Sequence, residues 1–354
     1  MVQKSTMFVR LHEFASEYSI IIVTILYSAS LTVSAYYQNK LIENSSCNPL
    51  IPFGECFIGE SEARFDVESN NYLRYSISFV IIFLVGAWSD SHGRRRKPLI
   101  LLPILGQILS DSLYFIKMFW YWPSYIDLIF RSVIPGLYVG RNMFWIGVIS
   151  YVSENSSIKL RTLKLGTIVA TYTISSLIGA GLVALIKMTV NYYGYGYFIV
   201  PILLNLIAAF VGYCHVKDTS DLYKKNYEWL RPKYLLKSFT SILKNKSKIR
   251  RVVLAILVLC QSIFVARIGC EYSLIMRHIK HSFTWYDEGY VHFNLFKMVV
   301  LFIGTVVSVS LFSYKMNISD MVIVIILCCF YIFAAVIYVV TSQIWKIAMS
   351  NYAL

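Results

Sequence analysis

Charge is scarce in this sequence. Only 15 % of its 354 residues are Asp, Glu, Lys or Arg, while 57 % are hydrophobic. Soluble domains carry about a quarter charged residues, so an ordinary water-soluble globule is excluded. Acidic residues are the rarer sign, 19 against 33 Lys and Arg. Three signatures of chemistry are also missing: a Gly-rich phosphate loop, a metal-ligand spacing and a nucleophile–base constellation. No enzyme activity, metal or cofactor is therefore expected. Nor is a cleavable leader expected, because the first 17 residues are polar and of mixed charge and the first apolar run is of full spanning length.

What is present is a series of apolar runs of about 20 residues, each long enough to cross a bilayer as a helix. Nine spanning helices are expected, at 18–38, 71–89, 98–119, 124–150, 162–187, 196–216, 251–275, 289–313 and 321–343. The formal net charge of +14 is unevenly placed. Residues 217–251 hold eleven Lys and Arg against three Asp and Glu, whereas residues 39–70 hold six acids against two bases. This is the asymmetry of cytosolic and outer loops, with the basic segment against anionic lipid, and not a nucleic-acid surface. Within the basic segment, Trp229 to Leu243 suits either an amphipathic stretch on the membrane or a solvated linker.

The seven cysteines divide by position. Cys214, Cys260, Cys270, Cys328 and Cys329 lie in or beside apolar runs and read as small core residues. Cys47 and Cys56 share the acidic loop and are candidates for one local disulfide on an oxidising side of the membrane. Asn44 opens an Asn-Ser-Ser sequon in that loop and is the glycosylation candidate. Further sequons at Asn155, Asn245 and Asn317 fall in loops placed inside, where they are inert.

The most specific stretch runs Gly86-Ala87-Trp88-Ser89-Asp90-Ser91-His92-Gly93-Arg94-Arg95-Arg96-Lys97 between two apolar runs. Four consecutive cations keep such a turn on the cytosolic side. That orientation places the N-terminus and loop 217–251 inside and loop 39–70 outside, in agreement with the charge counts. Gly86 and Gly93 permit close helix approach and a tight reversal, and Asp90 is placed to pair with the cations or cap a helix end. The spacing Gly86-x-x-x-Asp90-x-x-Gly93-Arg94-Arg95 resembles the loop between helices 2 and 3 of the major facilitator superfamily, with Ser91 where that superfamily usually has a cation. The same residues resemble the proton-coupled folate transporter family (solute carrier family 46). Ser153-Glu154-Asn155 followed by Arg161-Thr162, and Trp285-Tyr286-Asp287-Glu288, resemble two further stretches of that family.

The resemblance implies an all-α membrane protein in which a six-helix N-terminal bundle, residues 1–216, is joined by a basic linker, 217–250, to an incomplete three-helix C-terminal bundle, 251–354. It implies import of a small organic anion by alternating access, with protons as coupling ion. Helices 1, 4 and 7 would line the site. Two positions depart from that family: its helix 5 carboxylate falls on Val169, and its helix 7 histidine has no counterpart near Ala266. Folate or another organic anion, and proton coupling or facilitated exchange, all stay open.

Charges inside apolar runs supply the site candidates, because they are costly in lipid and face a cavity or each other. These are Asp111 in helix 3, Arg131 and Arg141 in helix 4, Arg267 and Glu271 in helix 7, and Lys297 in helix 8. Asp127 and Arg131, and Arg267 and Glu271, are four apart and can pair on one helix face. Arg141 and Arg267 suit a carboxylate-bearing substrate through bidentate contacts, and Lys297 either joins them or snorkels to the surface. Asp111 and Glu271 are the proton-carrying candidates, with His278, His281 and His292 at the outer mouth. Gly166, Gly179 and Gly181 with Ser175 and Ser176 are expected to allow close packing of helix 5, and Pro103 and Pro135 to kink helices 3 and 4. The alternative expectation is a truncated, transport-incompetent membrane protein acting as a partner or regulator, since only three helices follow the linker. The glycosylated loop fits a plasma or lysosomal membrane.

Overall fold

The computed structural model describes residues 2–45, 60–91, 95–117, 129–157, 160–189, 196–216 and 287–316, with short stretches between and after them. Among the described residues the regular structure is helical, without a strand. The chain divides into two compact units, Met1–Tyr227 and Glu228–Leu354.

The first unit contains α1 (Val2–Ser45), α2 (Glu60–Ser91), α3 (Lys97–Lys117), a π-helical stretch (Ile129–Val133), α4 (Ile134–Leu137), α5 (Gly140–Glu154), α6 (Arg161–Thr189) and α7 (Gly196–His215). The second contains α8 (Asp287–Val307), continued by a π-helical stretch (Ser308–Lys315). Among the described residues, five helices are long and apolar enough to cross a membrane: Tyr18–Gln38, Lys97–Lys117, Arg161–Ile186, Tyr197–His215 and Leu295–Lys315. A span of 21 residues is about 32 Å long, matching a hydrocarbon core of about 30 Å. Many large apolar side chains point away from the protein, among them Leu105, Leu185, Leu203 and Phe210. In water such a surface would aggregate; in lipid it is solvated.

α1 is the central helix of the first unit, packed along α6 and α7, while α3 packs along α5 and α7 and α2 lies along α4. The core joins Val23 and Tyr27 of α1, Ile100 and Ile104 of α3, and Phe144 and Val148 of α5. A second cluster at the other end joins Val33 and Tyr37, Tyr114, Val183 and Phe198. α6 approaches α1 so closely at Gly179 that a Cβ there would lie 2.7 Å from Thr32 Cβ and 2.8 Å from the Ala29 carbonyl oxygen. Where α7 meets α1, Ser30 donates to the Pro201 carbonyl at 3.1 Å and accepts from Asn205 Nδ2 at 2.6 Å.

Several expectations need correction. The first span is not among them: it runs Tyr18–Gln38 as expected, although its helix continues to Ser45 and the helix of the second span begins at Glu60. The apolar run measures only what lipid requires, and a helix propagates into water for as long as its backbone bonds continue. Helix 4 is not one rod over 124–150. It is π-wound over Ile129–Val133, has Pro135 in the first turn of α4, and breaks at Val139 and Gly140, whose φ values are 57° and 51°. Asp127 and the side chain of Arg131, whose pairing was expected, lie outside the described residues. Pro103, by contrast, sits inside a continuous α3. Among the described residues, a Cβ on Gly86 or Gly181 would meet nothing within 4 Å. Cys214, Cys260, Cys328 and Cys329 are exposed, not core; in a membrane helix an apolar position is compatible with either face. The helices expected at 251–275 and 321–343 lie largely outside the described residues.

Candidate functional site

Two groups of polar side chains meet inside the first unit. The first is built on α1 and α3. Ser34 of α1 and Gln107 and Asp111 of α3 are all buried, Asp111 completely. Residues 107 and 111 are four apart on α3, as are 34 and 38 on α1, so each pair shares one helix face. Ser34 Oγ donates to Asp111 Oδ1. Gln107 Nε2 donates to the same oxygen at 2.9 Å and to Ser34 Oγ at 3.1 Å. Gln38 Nε2, half-buried at the last residue of its span, reaches Ser34 Oγ at 2.8 Å and Asp111 Oδ1 at 3.2 Å. Asp111 Oδ2 is buried without a hydrogen-bond partner.

The second group surrounds the break in helix 4. A left-handed conformation at Val139 is a genuine outlier for a β-branched residue, and it is held by packing: Val139 is buried with Leu99 and Met143. Arg74 of α2 lies beside the break, its Nη2 3.3 Å from where a Cβ on Gly140 would sit. Ser78, one turn on, donates to the Gly136 carbonyl at 3.2 Å. Immediately after the break, Arg141 places its guanidinium 5.2 Å from the centre of the Tyr172 ring on α6. Such stacking holds the cation over the ring face. Among the described residues no carboxylate pairs with Arg141. Tyr27 of α1 joins the two groups. It is fully buried against Phe144, with ring centroids 4.2 Å apart, and lies within electrostatic reach of Arg74, Asp111 and Arg141. Its hydroxyl is buried without a partner.

A third arrangement ties one end of the unit together. Ser89 Oγ donates to the Arg95 carbonyl at 2.9 Å and accepts from Arg96 Nη1 at 2.9 Å. Arg96 Nη2 makes an ion pair with Glu154 Oε1, at the end of α5, at 2.8 Å. Lys97 Nζ donates to the Tyr213 carbonyl at 2.5 Å and lies 4.6 Å above that ring. The loop thereby links the ends of α2, α3, α5 and α7. Arg96 and Lys97 are thus held by protein groups.

Of the site residues expected from sequence, Asp111 and Arg141 each lie within electrostatic reach of Tyr27. Arg131 lies in the π-helical stretch, and its side chain is outside the described set. So are the side chain of Asp90, all of Gly93, Arg94, Arg267 and Glu271, Cys47 and Cys56, His278 and His281, and the side chains of Asn44 and His292. Lys297 is half-buried on α8, within the second unit. Val169 is exposed on α6. Sequence reasoning overlooked Arg74, although it falls inside the expected second span. It also overlooked Tyr27, Ser34, Gln38 and Gln107. Their spacing was a usable signal, since Tyr27, Ser30, Ser34 and Gln38 recur every three or four residues on α1.

No protein family model matches this sequence, and no curated protein matches it either.

Proposed function

We propose that the chain is a secondary transporter of the major facilitator superfamily, similar to the proton-coupled folate transporter branch, that moves a small organic anion across a plasma or lysosomal membrane by alternating access. One observation carries this reading: the spacing Gly86-x-x-x-Asp90-x-x-Gly93-Arg94-Arg95 joins α2 to the membrane-spanning helix α3. The environment of Arg141 supports an anionic substrate. A guanidinium stacked on Tyr172 keeps its edge N–H groups available for a carboxylate, and in a low-dielectric setting that bidentate contact is strong. Arg74 beside the same helix break adds a second positive charge. A discontinuous helix flanking a polar site is a recurrent device of membrane transporters, since irregular backbone at membrane depth survives only where protein or a cavity covers it.

The test is uptake. Cells lacking folate uptake, expressing the full chain, are given labelled folate and related anions at acidic and neutral pH. Uptake above the empty-vector control is expected, and Arg141→Ala and Arg267→Ala should each abolish it with surface expression intact. Absence of uptake for every anion tried, with the protein at the surface, refutes the reading.

A further inference from the structure

The polar cluster of α1 and α3 has an unusual hydrogen inventory. An amide side chain offers two N–H hydrogens and a serine hydroxyl offers one. Both Gln38 hydrogens are directed at Ser34 Oγ and Asp111 Oδ1, and both Gln107 hydrogens at the same two atoms. The Ser34 hydroxyl hydrogen goes to Oδ1 as well. Every donor in the cluster is therefore used, and every one that reaches Asp111 reaches Oδ1. Oδ2 receives none and is sealed from solvent. An ionised carboxylate spreads its charge over both oxygens, and a bare, buried, charged oxygen is among the costliest groups a protein can hold. A carboxylic acid fits the pattern without that cost: Oδ1 is its carbonyl oxygen, accepting three bonds, and Oδ2 is its hydroxyl. Turning either amide over would set its oxygen against Oδ1, an arrangement that is also favourable only for a protonated Asp111.

We propose that Asp111 carries a proton on Oδ2 in this conformation and exchanges it with the solution at the end of the bundle opposite the Arg94–Lys97 loop, which makes it the proton-coupling carboxyl of the transport cycle; the coupling role rests on the transporter reading above. Placement supports exchange from that end. Asp111 is six residues from Lys117, about 9 Å along the helix, and fourteen from Lys97, about 21 Å. The single half-buried member of the cluster is Gln38, which lies on the same side at the close of its span. Rotation of the Gln38 side chain withdraws two donors and opens the carboxyl to water. The Oδ2–H bond then breaks, the proton passes to a water molecule as hydronium, and the electron pair stays on the carboxylate.

The ionisable surroundings are few. Arg74 of α2 is the charged residue within electrostatic reach of Asp111 among the described residues. Tyr27, Tyr36 and Tyr37 of α1, Tyr114 and Lys117 of α3, Tyr197 of α7 and Arg141 of α5 are further titratable groups on the elements around it. α4 has none, and the π-helical stretch before it carries Arg131, whose side chain is outside the described set. His215 of α7 lies at the opposite end. Departure of the proton therefore leaves a negative charge whose nearest compensation is Arg74, beside the break in helix 4 and close to the proposed anion site. That geometry couples the proton to the substrate.

The experiment is infrared spectroscopy of the full chain in liposomes, following the C=O stretch of a protonated carboxylic acid in normal and heavy water. Wild type should show such a band at neutral pH, Asp111→Asn should lose it, and Ser34→Ala should shift it, because one donor to the carbonyl oxygen is gone. Ser34→Ala keeps the assignment testable if Asp111→Asn does not fold. The proposal is overturned if no acid band is present, if the band is unchanged in both variants, or if adding sodium abolishes it, which would mean that a metal cation and not a proton is held. Labelled folate uptake separates the two levels. Uptake without an Asp111 band removes this proposal alone, whereas a band without uptake of any anion removes the transporter reading. With both present, Asp111→Asn should retain exchange of labelled against unlabelled folate and lose stimulation by external acid.

Discussion

The close approach of α6 to α1 gives a prediction that can be worked through. Gly179 of α6 lies against α1 so that an added Cβ would meet Thr32 Cβ at 2.7 Å and the Ala29 carbonyl oxygen at 2.8 Å. Ordinary van der Waals contact between such atoms begins near 3.4 Å, so the two helices must separate by roughly half an ångström or more. Neither obstacle can step aside, because one is backbone and the other is the first atom of a short side chain. Gly181, two residues along the same helix, meets nothing within 4 Å. Replacing each by alanine brings the same gain in helix propensity, about 1 kcal/mol, so that term cancels in the comparison. The remaining difference is the overpacking cost, about 1–3 kcal/mol. Gly181→Ala should therefore be neutral or stabilising, and Gly179→Ala should unfold a few degrees below it. The assay is thermal unfolding of the purified full chain in one detergent, read by intrinsic tryptophan fluorescence. Equal transition temperatures for the two variants would refute the packing argument.

Arg96 and Glu154 tie the α2–α3 loop to the end of α5 in a partly buried ion pair, so a double-mutant cycle with Arg96→Ala and Glu154→Ala should return a coupling of about 1 kcal/mol, weakened by salt; a coupling of zero would mean the pair holds nothing. Gly140→Ala forces a Cβ into the left-handed region at φ 51°, and should lower stability by about 1 kcal/mol, while Gly304→Ala, which meets open space on α8, should not. The same thermal assay checks both, and an unaffected Gly140→Ala would show that helix 4 is not held broken there.

The first and last helices of the described set illustrate how much was legible beforehand. The run from Tyr18 to Gln38 and the run ending at Lys315 were both recognisable as spans, because membrane insertion depends on hydrophobicity summed along one segment. Asp111 and Arg141 were also identifiable as site candidates, because an ionisable residue in an apolar run stands out regardless of its partners. The break at Val139 was not. Pro135 warned of an irregular helix 4, but the residue that takes the left-handed conformation is a valine, which its own propensity disfavours. Tertiary packing against Leu99 and Met143 overrides that preference.

By itself, the sequence determined that the protein is helical and apolar enough to cross a membrane, and which charged residues are out of place in lipid. Only the tertiary structure decided how each helix is turned about its axis, and so that Ser34, Gln38 and Gln107 converge on a single oxygen of Asp111 and leave the other bare. The physical reason is that lipid is as apolar as a protein core. A soluble helix announces its buried face by a stripe of apolar residues, whereas a membrane helix is apolar all round and reveals its rotation only through the partners it meets.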